Sequence, residues 1–262
     1  MMDIKLFQVD AFTDEIFGGN SAAVCPLEAW LPDSVLLKIA QENALAETAF
    51  FVREGDAFHL RWFTPEIEMD LCGHATLAAA HVLTTHLGYE SDSIVFTSLS
   101  GELRVTRREG RLTLDFPARP PSAAQAPMEV LESLNILPLE ILRARDIVLV
   151  YADEEAIRAL QPDRMLMDRI NLDPGGVVVT APGKEVDFVS RFFTPQAHIF
   201  EDPVTGSAHC SLAPYWAARL GKTSLTAAQL SQRGGRMDCE VSGDRVLISG
   251  SAVTYLRGVI SI

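Results

Sequence analysis

The chain carries one pattern twice, and this repeat limits what the chain can fold into. Residues 61–65 read Arg-Trp-Phe-Thr-Pro and residues 191–195 read Arg-Phe-Phe-Thr-Pro. A short loop follows each copy, and then Gly73 or Gly206 opens a run of small and apolar residues. Proline cannot donate to a sheet ladder and restrains the residue before it, so each strand should end at the Thr-Pro pair. The pattern predicts a strand, a loop and a helix, in two copies.

The repeat extends beyond the two predicted helices. Gly88 and Gly221 lie equally far from the two helix starts, and glycine commonly ends a helix in the left-handed conformation. Two alternating segments with turn residues between them then follow each helix, which is typical of a β-hairpin. We therefore expect an α+β fold of two similar lobes, in which the strands of each lobe wrap its own apolar helix.

The predicted lobes have definite boundaries. The segment 116–124 is rich in proline and alanine and is the most linker-like part of the chain. We expect an N-terminal lobe over residues 1–118 and a C-terminal lobe over residues 119–252. The final segment, 253–262, has the pattern of a strand without an obvious partner in the second lobe, so we expect it to complete the first. A ligand would bind in the space between the lobes.

Composition excludes several classes of partner. The net charge is −13, and the longest cluster of basic residues is the pair Arg107-Arg108, so we expect neither nucleic acid nor an anionic membrane as a partner. No apolar run approaches the length of a membrane span, and the N-terminus enters a strand without a leader pattern, which favours a cytoplasmic protein. Four cysteines lie far apart in the sequence, as expected of reduced thiols.

The two helix starts are candidate anion sites. A helix N-terminus carries unpaired backbone N–H groups and a partial positive charge, so Gly73 and Gly206 should each favour a carboxylate. His74 and Ser207 would add side-chain donors. The alternative is that each glycine merely opens a helix, with Ser207 or His74 as a capping residue. Because the motif is duplicated, we favour the ligand-binding interpretation.

A site that binds a carboxylate next to an activated C–H bond needs a group that can take a proton from carbon. Glu47 is a candidate, because apolar neighbours make a carboxylate hold its proton more tightly; the alternative is a solvated surface residue. Asp202 is a second acid/base candidate or a hydrogen-bond anchor, or simply the start of an Asp-Pro turn. His74 can donate a hydrogen bond or act as acid or base.

The sequence gives little support for a metal or a bound cofactor. Its histidines and cysteines show no recognised ligand spacing, such as two histidines four residues apart on a helix, so we expect no metal. Gly18-Gly19 opens no helix, so the phosphate-binding signature of nucleotide sites is not met. We expect no cofactor.

Taken together, these motifs resemble the phenazine-biosynthesis PhzF-like family, within the broader diaminopimelate epimerase-like fold. The resemblance covers essentially the whole chain. The matching elements are Gln-Val-Asp-Ala-Phe at 8–12 with Gly19-Asn20, Ala-Glu-Thr-Ala-Phe at 46–50, Asp-Leu-Cys-Gly-His-Ala-Thr at 70–76, and Glu-Asp-Pro-Val-Thr-Gly-Ser-Ala at 201–208.

The resemblance implies more than the residues alone. It implies two pseudo-symmetric lobes, each a barrel-like, mostly antiparallel sheet around a central helix, and a homodimer. It also implies cofactor-independent isomerisation, in which a glutamate at the position of Glu47 moves a proton between ring carbons of trans-2,3-dihydro-3-hydroxyanthranilate. The other polar residues of that site match His74, Asp202 and Ser207, the backbone donors match Gly73 and Gly206, and Asn20 falls in a matching motif as a substrate-binding candidate.

Two departures bear on the chemistry. Epimerases and racemases on this fold use two cysteines, one at the head of each helix, whereas this chain has only Cys72, and Asp-Pro-Val precedes Thr205 in the second motif. Asn20-Ser21 stands where many relatives have Asn-Pro. The hypothesis is therefore an isomerase with Glu47 as the base. An epimerase using Glu47 or Cys72 with Asp202, and a non-catalytic metabolite-binding protein, stay open as alternatives.

Overall fold

The computed structural model describes residues 2–108, 110–172 and 175–262. In chain order its strands are β1 (Asp3–Ala11), β2 (Asn20–Leu27), β3 (Glu47–Glu54), β4 (Ala57–Phe63), β5 (Glu68–Met69), β6 (Ser93–Ser98), β7 (Gly101–Arg108), β8 (Arg111–Pro117), β9 (Ser122–Ala123), β10 (Glu140–Arg143), β11 (Ile147–Val150), β12 (Val177–Pro182), β13 (Phe188–Phe193), β14 (Glu201–Asp202), β15 (Ser224–Gln229), β16 (Gly235–Ser242), β17 (Arg245–Gly250) and β18 (Ala252–Ser261). The helices are α1 (Asp33–Asn43), α2 (Gly73–His86), α3 (Met128–Glu132), α4 (Glu154–Ala159), α5 (Arg164–Met167) and α6 (Gly206–Leu220).

The chain forms two compact units. Unit 1 contains Met1–Asp115 and Ile248–Ile262, and unit 2 contains Phe116–Leu247. The boundary between the two units falls within β8, where Phe116 is buried. The proline-rich segment is therefore linker-like only beyond the end of this strand. At the other end of the chain, β18 pairs antiparallel with β1.

The sheet of unit 1 is mostly antiparallel. Its strands lie in the order β18, β1, β2, β3, β4, β6, β7, β8. Only two neighbouring pairs in this series run parallel, β2 with β3 and β4 with β6. A parallel neighbour needs a crossover, and α1 and α2 lie in the two connections concerned.

Unit 2 repeats the same scheme with its own strands. Their order is β9, β10, β11, β12, β13, β15, β16. The parallel pairs are again two, β11 with β12 and β13 with β15, and α6 lies in the second connection. The series from β10 to β16 therefore repeats the series from β1 to β7, strand for strand. The predicted α+β class, with two similar sheet-and-helix halves, is confirmed.

The helices α2 and α6 are the central helices of their units. Every residue from Gly73 to Ala80 is buried, and α6 is buried over most of its length from Ala208 to Ala217. A helix that is apolar and buried around most of its surface belongs in a core rather than at a surface. In unit 1, α2 contacts β1, β2, β3 and β18, and in unit 2, α6 contacts β15 and β16.

The predicted ends of the repeated elements are also confirmed. Strands β4 and β13 stop at Phe63 and Phe193, immediately before the two Thr-Pro pairs. Gly88, just beyond α2, and Gly221, the C-cap of α6, both have positive φ angles, 70° and 68°. In the described part of the chain, no helix combines the length and the hydropathy needed to cross a membrane.

Candidate active site

Glu47 and His74 meet at the N-terminal end of α2. Glu47 is the first residue of β3, where it lies opposite Ala22 of β2, and His74 is the second residue of α2. The carboxylate Oε2 of Glu47 lies 3.0 Å from Nε2 of His74. The side chain of Glu47 is 15% exposed and that of His74 is 4% exposed, so the carboxylate is not the solvated surface group of the alternative interpretation.

The second ring nitrogen of His74 has its own contacts. Its Nδ1 lies 3.2 Å from the amide nitrogen of Asn20 and 3.6 Å from Sγ of Cys72. In the neutral imidazole, the Asn20 amide donates to Nδ1 and the ring proton lies on Nε2, facing Glu47. Asn20 is fully buried, and its place in the structure is to orient the imidazole.

Burial and charge oppose each other at His74. Burial by itself lowers the pKa of the imidazole, but the charges of Cys72 and Glu47 and hydrogen bonds to both raise it, and the net result is a pKa well above the ordinary value. Burial, followed by the charge of Glu47, raises the pKa of the Cys72 thiol, so Cys72 stays neutral near pH 7. Glu47 is therefore the anion that favours a protonated His74.

The loop between β1 and β2 places Asn20. Gly19 has a φ angle of 60°, and a Cβ atom there would lie 2.1 Å from the carbonyl oxygen of Ala11, so only glycine fits. The buried carboxylate of Asp10 accepts a hydrogen bond from the Phe17 amide at 2.9 Å and another from the hydroxyl of Ser21. Sequence reasoning missed this role for Asp10, although Asp10 lies within the Gln-Val-Asp-Ala-Phe motif.

The N-cap residue of α2 does not cap the helix with its side chain. Cys72 is the N-cap, in an extended conformation, and its thiol makes no capping hydrogen bond. The helix begins at Gly73, so His74 is not the capping histidine of the alternative interpretation. Because no cap side chain bonds the backbone N–H groups of this first turn, these groups are suited to bind an anionic ligand.

In unit 2, Asp202 is part of a hydrogen-bonded cluster ahead of α6. The hydroxyl of Thr205 donates to Oδ2 of Asp202 at 2.5 Å. Gln229, buried at the end of β15, accepts from the Thr205 amide at 2.8 Å and donates to the Asp202 carbonyl oxygen at 2.7 Å. The loop that precedes the helix is thus held from both its backbone and its side chains. Gln229 and Thr205 were missed by sequence reasoning, because nothing local marks their roles.

The start of α6 repeats the start of α2. Thr205 is the N-cap, again without a side-chain capping hydrogen bond, and the helix begins at Gly206. Ser207 is therefore the second helical residue, the position that His74 has in α2, and not the cap. It is partly exposed, unlike His74.

Three donor types meet around His74, which raises the question of a metal. Donor atoms of Glu47, Cys72 and His74 lie within 4.8 Å of one another. The histidine, however, faces Glu47 with Nε2 and Cys72 with Nδ1. Because the two nitrogens of an imidazole point in different directions, an ion bound by one of them would leave the other contact in place. The imidazole thus lies between the thiol and the carboxylate, with one ring nitrogen facing each.

The fold has two similar units with matching helix starts, and comparisons with known proteins specify the family and an isomerase-type enzyme. The family model of phenazine biosynthesis-like proteins matches residues 9–258, and the chain belongs to this family. A protein of Pseudomonas aeruginosa named an uncharacterized isomerase is 52% identical over 262 residues, which cover 100% of both chains. The crystal structure of a PhzF family phenazine biosynthesis protein from Enterococcus faecalis is similar with a TM-score of 0.95 and 47% identity, over 100% of both chains.

A more distant structure shares the fold alone. It is a hydroxyproline epimerase from Agrobacterium vitis with bound trans-4-hydroxy-L-proline, with a TM-score of 0.63, 12% identity and coverage of 98% of this chain and 92% of that one. The epimerase-like fold and the family membership expected from the sequence motifs are confirmed.

Proposed function

We propose that the protein is a cofactor-independent isomerase that moves a proton between two carbons of a small carboxylated substrate. In this proposal Glu47 removes the proton from one carbon and returns it to another, and the electron pair of the broken C–H bond passes into the substrate's own double bonds. The observation that carries the proposal is the sheltered contact between Glu47 and His74 at the head of α2. A carboxylate that is largely withdrawn from water and fixed by a donor suits general acid/base work.

The surrounding residues have distinct roles in this proposal. The α2 N-terminus at Gly73 binds the substrate carboxylate, since its backbone N–H groups are not bonded by the Cys72 side chain. His74 donates from Nε2, and Asn20 fixes its ring. Because the pKa of His74 is raised, the ring keeps its Nε2 proton as a hydrogen-bond donor and can stabilise negative charge that develops on the substrate.

We further propose that Asp202, Gly206 and Ser207 act in the same reaction as binding groups. Asp202 already accepts a hydrogen bond from Thr205, which favours a fixed acceptor over a mobile base. Gly206 would contribute backbone N–H groups, and Ser207, partly exposed on the first turn of α6, would contribute a hydroxyl. The chain would work as a homodimer, which light scattering after size-exclusion chromatography tests.

The first experiment uses the wild-type protein in D₂O with trans-2,3-dihydro-3-hydroxyanthranilate as the probe, together with a panel of amino acids. Mass spectrometry should detect deuterium in the product of turnover. An isomerase gives a product with a shifted double bond, whereas an epimerase gives a mirror-image centre that chiral chromatography separates. If no compound of the panel gains deuterium at carbon, the proposal fails for this class of substrates.

An amino-acid epimerase is the second candidate function, favoured by one observation. Cys72 lies next to His74, at the head of α2, where a catalytic thiol would act. Two facts weigh against it. Burial raises the pKa of that thiol, so little thiolate is present near neutral pH, and the matching place in the second motif holds Thr205, which cannot act as a second thiol.

A further inference from the structure

A cavity lies at the opposite end of α2 from Glu47. Its volume is about 410 Å³, within the range of small-molecule sites. Its polar lining groups are all potential hydrogen-bond donors, and none is a carboxylate: His81, Thr85, His86, Thr254, Tyr255 and Arg257. In a chain with 35 acidic and 22 basic residues, a cavity lined in this way is a local exception to the overall charge.

Two histidines converge on one hydroxyl in this cavity. Nε2 of His81 lies 2.8 Å from Oγ1 of Thr254, and Nε2 of His86 lies 2.7 Å from the same atom. A hydroxyl donates one hydrogen bond and accepts others, so two neutral rings can both be satisfied. Burial, followed by the charge of His86, lowers the pKa of His81 to about 4; burial and the charge of Arg257 lower that of His86. Among the residues that the structure describes, no carboxylate lines the cavity to counter these effects.

Arg257 supplies the permanent charge. It lies on β18 opposite Phe7 of β1, and the ring of Phe7 stacks on His86 with centroids 5.0 Å apart. Across residues 2–108, 110–172 and 175–262, no carboxylate forms an ion pair with Arg257. A planar guanidinium with free N–H groups is the side chain best suited to bind carboxylate or phosphate oxygens in pairs.

We propose that this cavity is a binding site for a small oxyanion, the carboxylate or phosphate group of a metabolite. Arg257 binds the anion, Thr85 and Tyr255 donate further hydrogen bonds, and the two histidines hold the Thr254 hydroxyl in the wall of the site. His74 and His86 are twelve residues apart on one helix, or about 18 Å at the rise of an α-helix, so this site is separate from the acid/base pair. It does not depend on the proposed reaction.

The test is a titration of the full chain, with histidine rings labelled with ¹⁵N, by inorganic phosphate and, in a second arm, by acetate. Sodium chloride at matched ionic strength corrects for screening. We expect saturable shifts of the His81 and His86 ring signals with at least one anion, while the signals of His59 and His198 stay in place. If phosphate saturates the shifts at a lower concentration than acetate, the site prefers phosphate. The reverse order indicates a carboxylate site.

Two variants make the result decisive. Arg257→Gln should weaken binding at least tenfold, whereas Arg143→Gln, at an exposed arginine outside the cavity, should leave it unchanged. The proposal is overturned if neither anion gives a saturable shift, or if Arg257→Gln binds as well as wild type. Neither outcome bears on catalysis by Glu47, because the titration requires no turnover.

Discussion

The two helix starts share one backbone arrangement but differ in the side chains around it. Both helices begin at a glycine after a cap residue that makes no side-chain capping bond. In both, the fourth helical residue bonds back to the cap carbonyl oxygen, Thr76 to Cys72 at 2.5 Å and His209 to Thr205 at 2.9 Å. The groups around these backbones differ: unit 1 places a titratable imidazole against a carboxylate, whereas unit 2 surrounds its loop with an amide and a hydroxyl.

Under the proposed function, this difference assigns proton transfer to unit 1 and binding to unit 2. A histidine paired with a glutamate can hold or release a proton near neutral pH. The Gln229 amide and the Thr205 hydroxyl cannot, but they fix the loop that carries Asp202. In this proposal both halves of the duplicated scaffold supply a similar helix start, and the side chains decide which half carries out the chemistry.

The largest effect should come from the proposed base. Glu47→Gln keeps the shape of the side chain but cannot accept a proton from carbon, so the rate of deuterium incorporation into the probe should fall about 10³-fold. The matched control is Glu54→Gln, at the exposed far end of the same strand β3, which should keep the wild-type rate. Equal rates in Glu47→Gln and wild type would remove Glu47 from the mechanism.

The next effect concerns the stability of unit 2. Gln229→Leu leaves the Thr205 amide and the Asp202 carbonyl oxygen without their partner in a buried place, which should lower the free energy of unfolding by about 3 kcal/mol. Urea denaturation measures it, and Gln125→Leu, at an exposed glutamine, should change stability far less. A loss of the same size in both variants would show that Gln229 does not hold the loop.

A smaller effect should appear in the pKa of His74. Glu47→Gln removes the negative charge that favours the imidazolium, so the pKa should fall by at least about one unit, or roughly 1.4 kcal/mol. Since the folded-state pKa is raised, the stabilisation from the pair is fully present below the ordinary pKa of 6.5 and is lost as pH rises through the raised value. NMR titration of the ring and unfolding experiments across this pH range measure both quantities, and an unchanged pKa would mean that Glu47 does not govern it.

The smallest effect should come from the thiol. Cys72→Ser keeps a small donor beside His74, and because the raised pKa leaves the thiol neutral, the rate should stay within about threefold of wild type. The same deuterium assay measures it. A loss as large as that of Glu47→Gln would favour the epimerase interpretation instead.

The sequence predicted those features that depend on local patterns. The Thr-Pro pairs marked the ends of β4 and β13, and Gly221 marked the end of α6, since backbone restraints at proline and glycine act over a few residues. The family motifs also drew attention to Glu47 and His74, whose contact the structure contains.

The remaining features depend on distant parts of the chain. Gln229 lies 24 residues from Thr205, and its amide bonds the loop only because β15 lies parallel to β13. His81 and His86 meet Thr254 across more than 160 residues of chain. Two-residue strands such as β5 are too short to leave a periodic pattern. Such contacts arise from topology, which a single pattern does not encode.

The most direct measurement compares the two halves in one assay. Glu47→Gln and Asp202→Asn are incubated with the probe in D₂O, and the rates of deuterium incorporation are measured side by side. If unit 1 moves the proton and unit 2 binds, Glu47→Gln should lose at least tenfold more rate than Asp202→Asn. A greater loss in Asp202→Asn, with Glu47→Gln still active, would contradict the account.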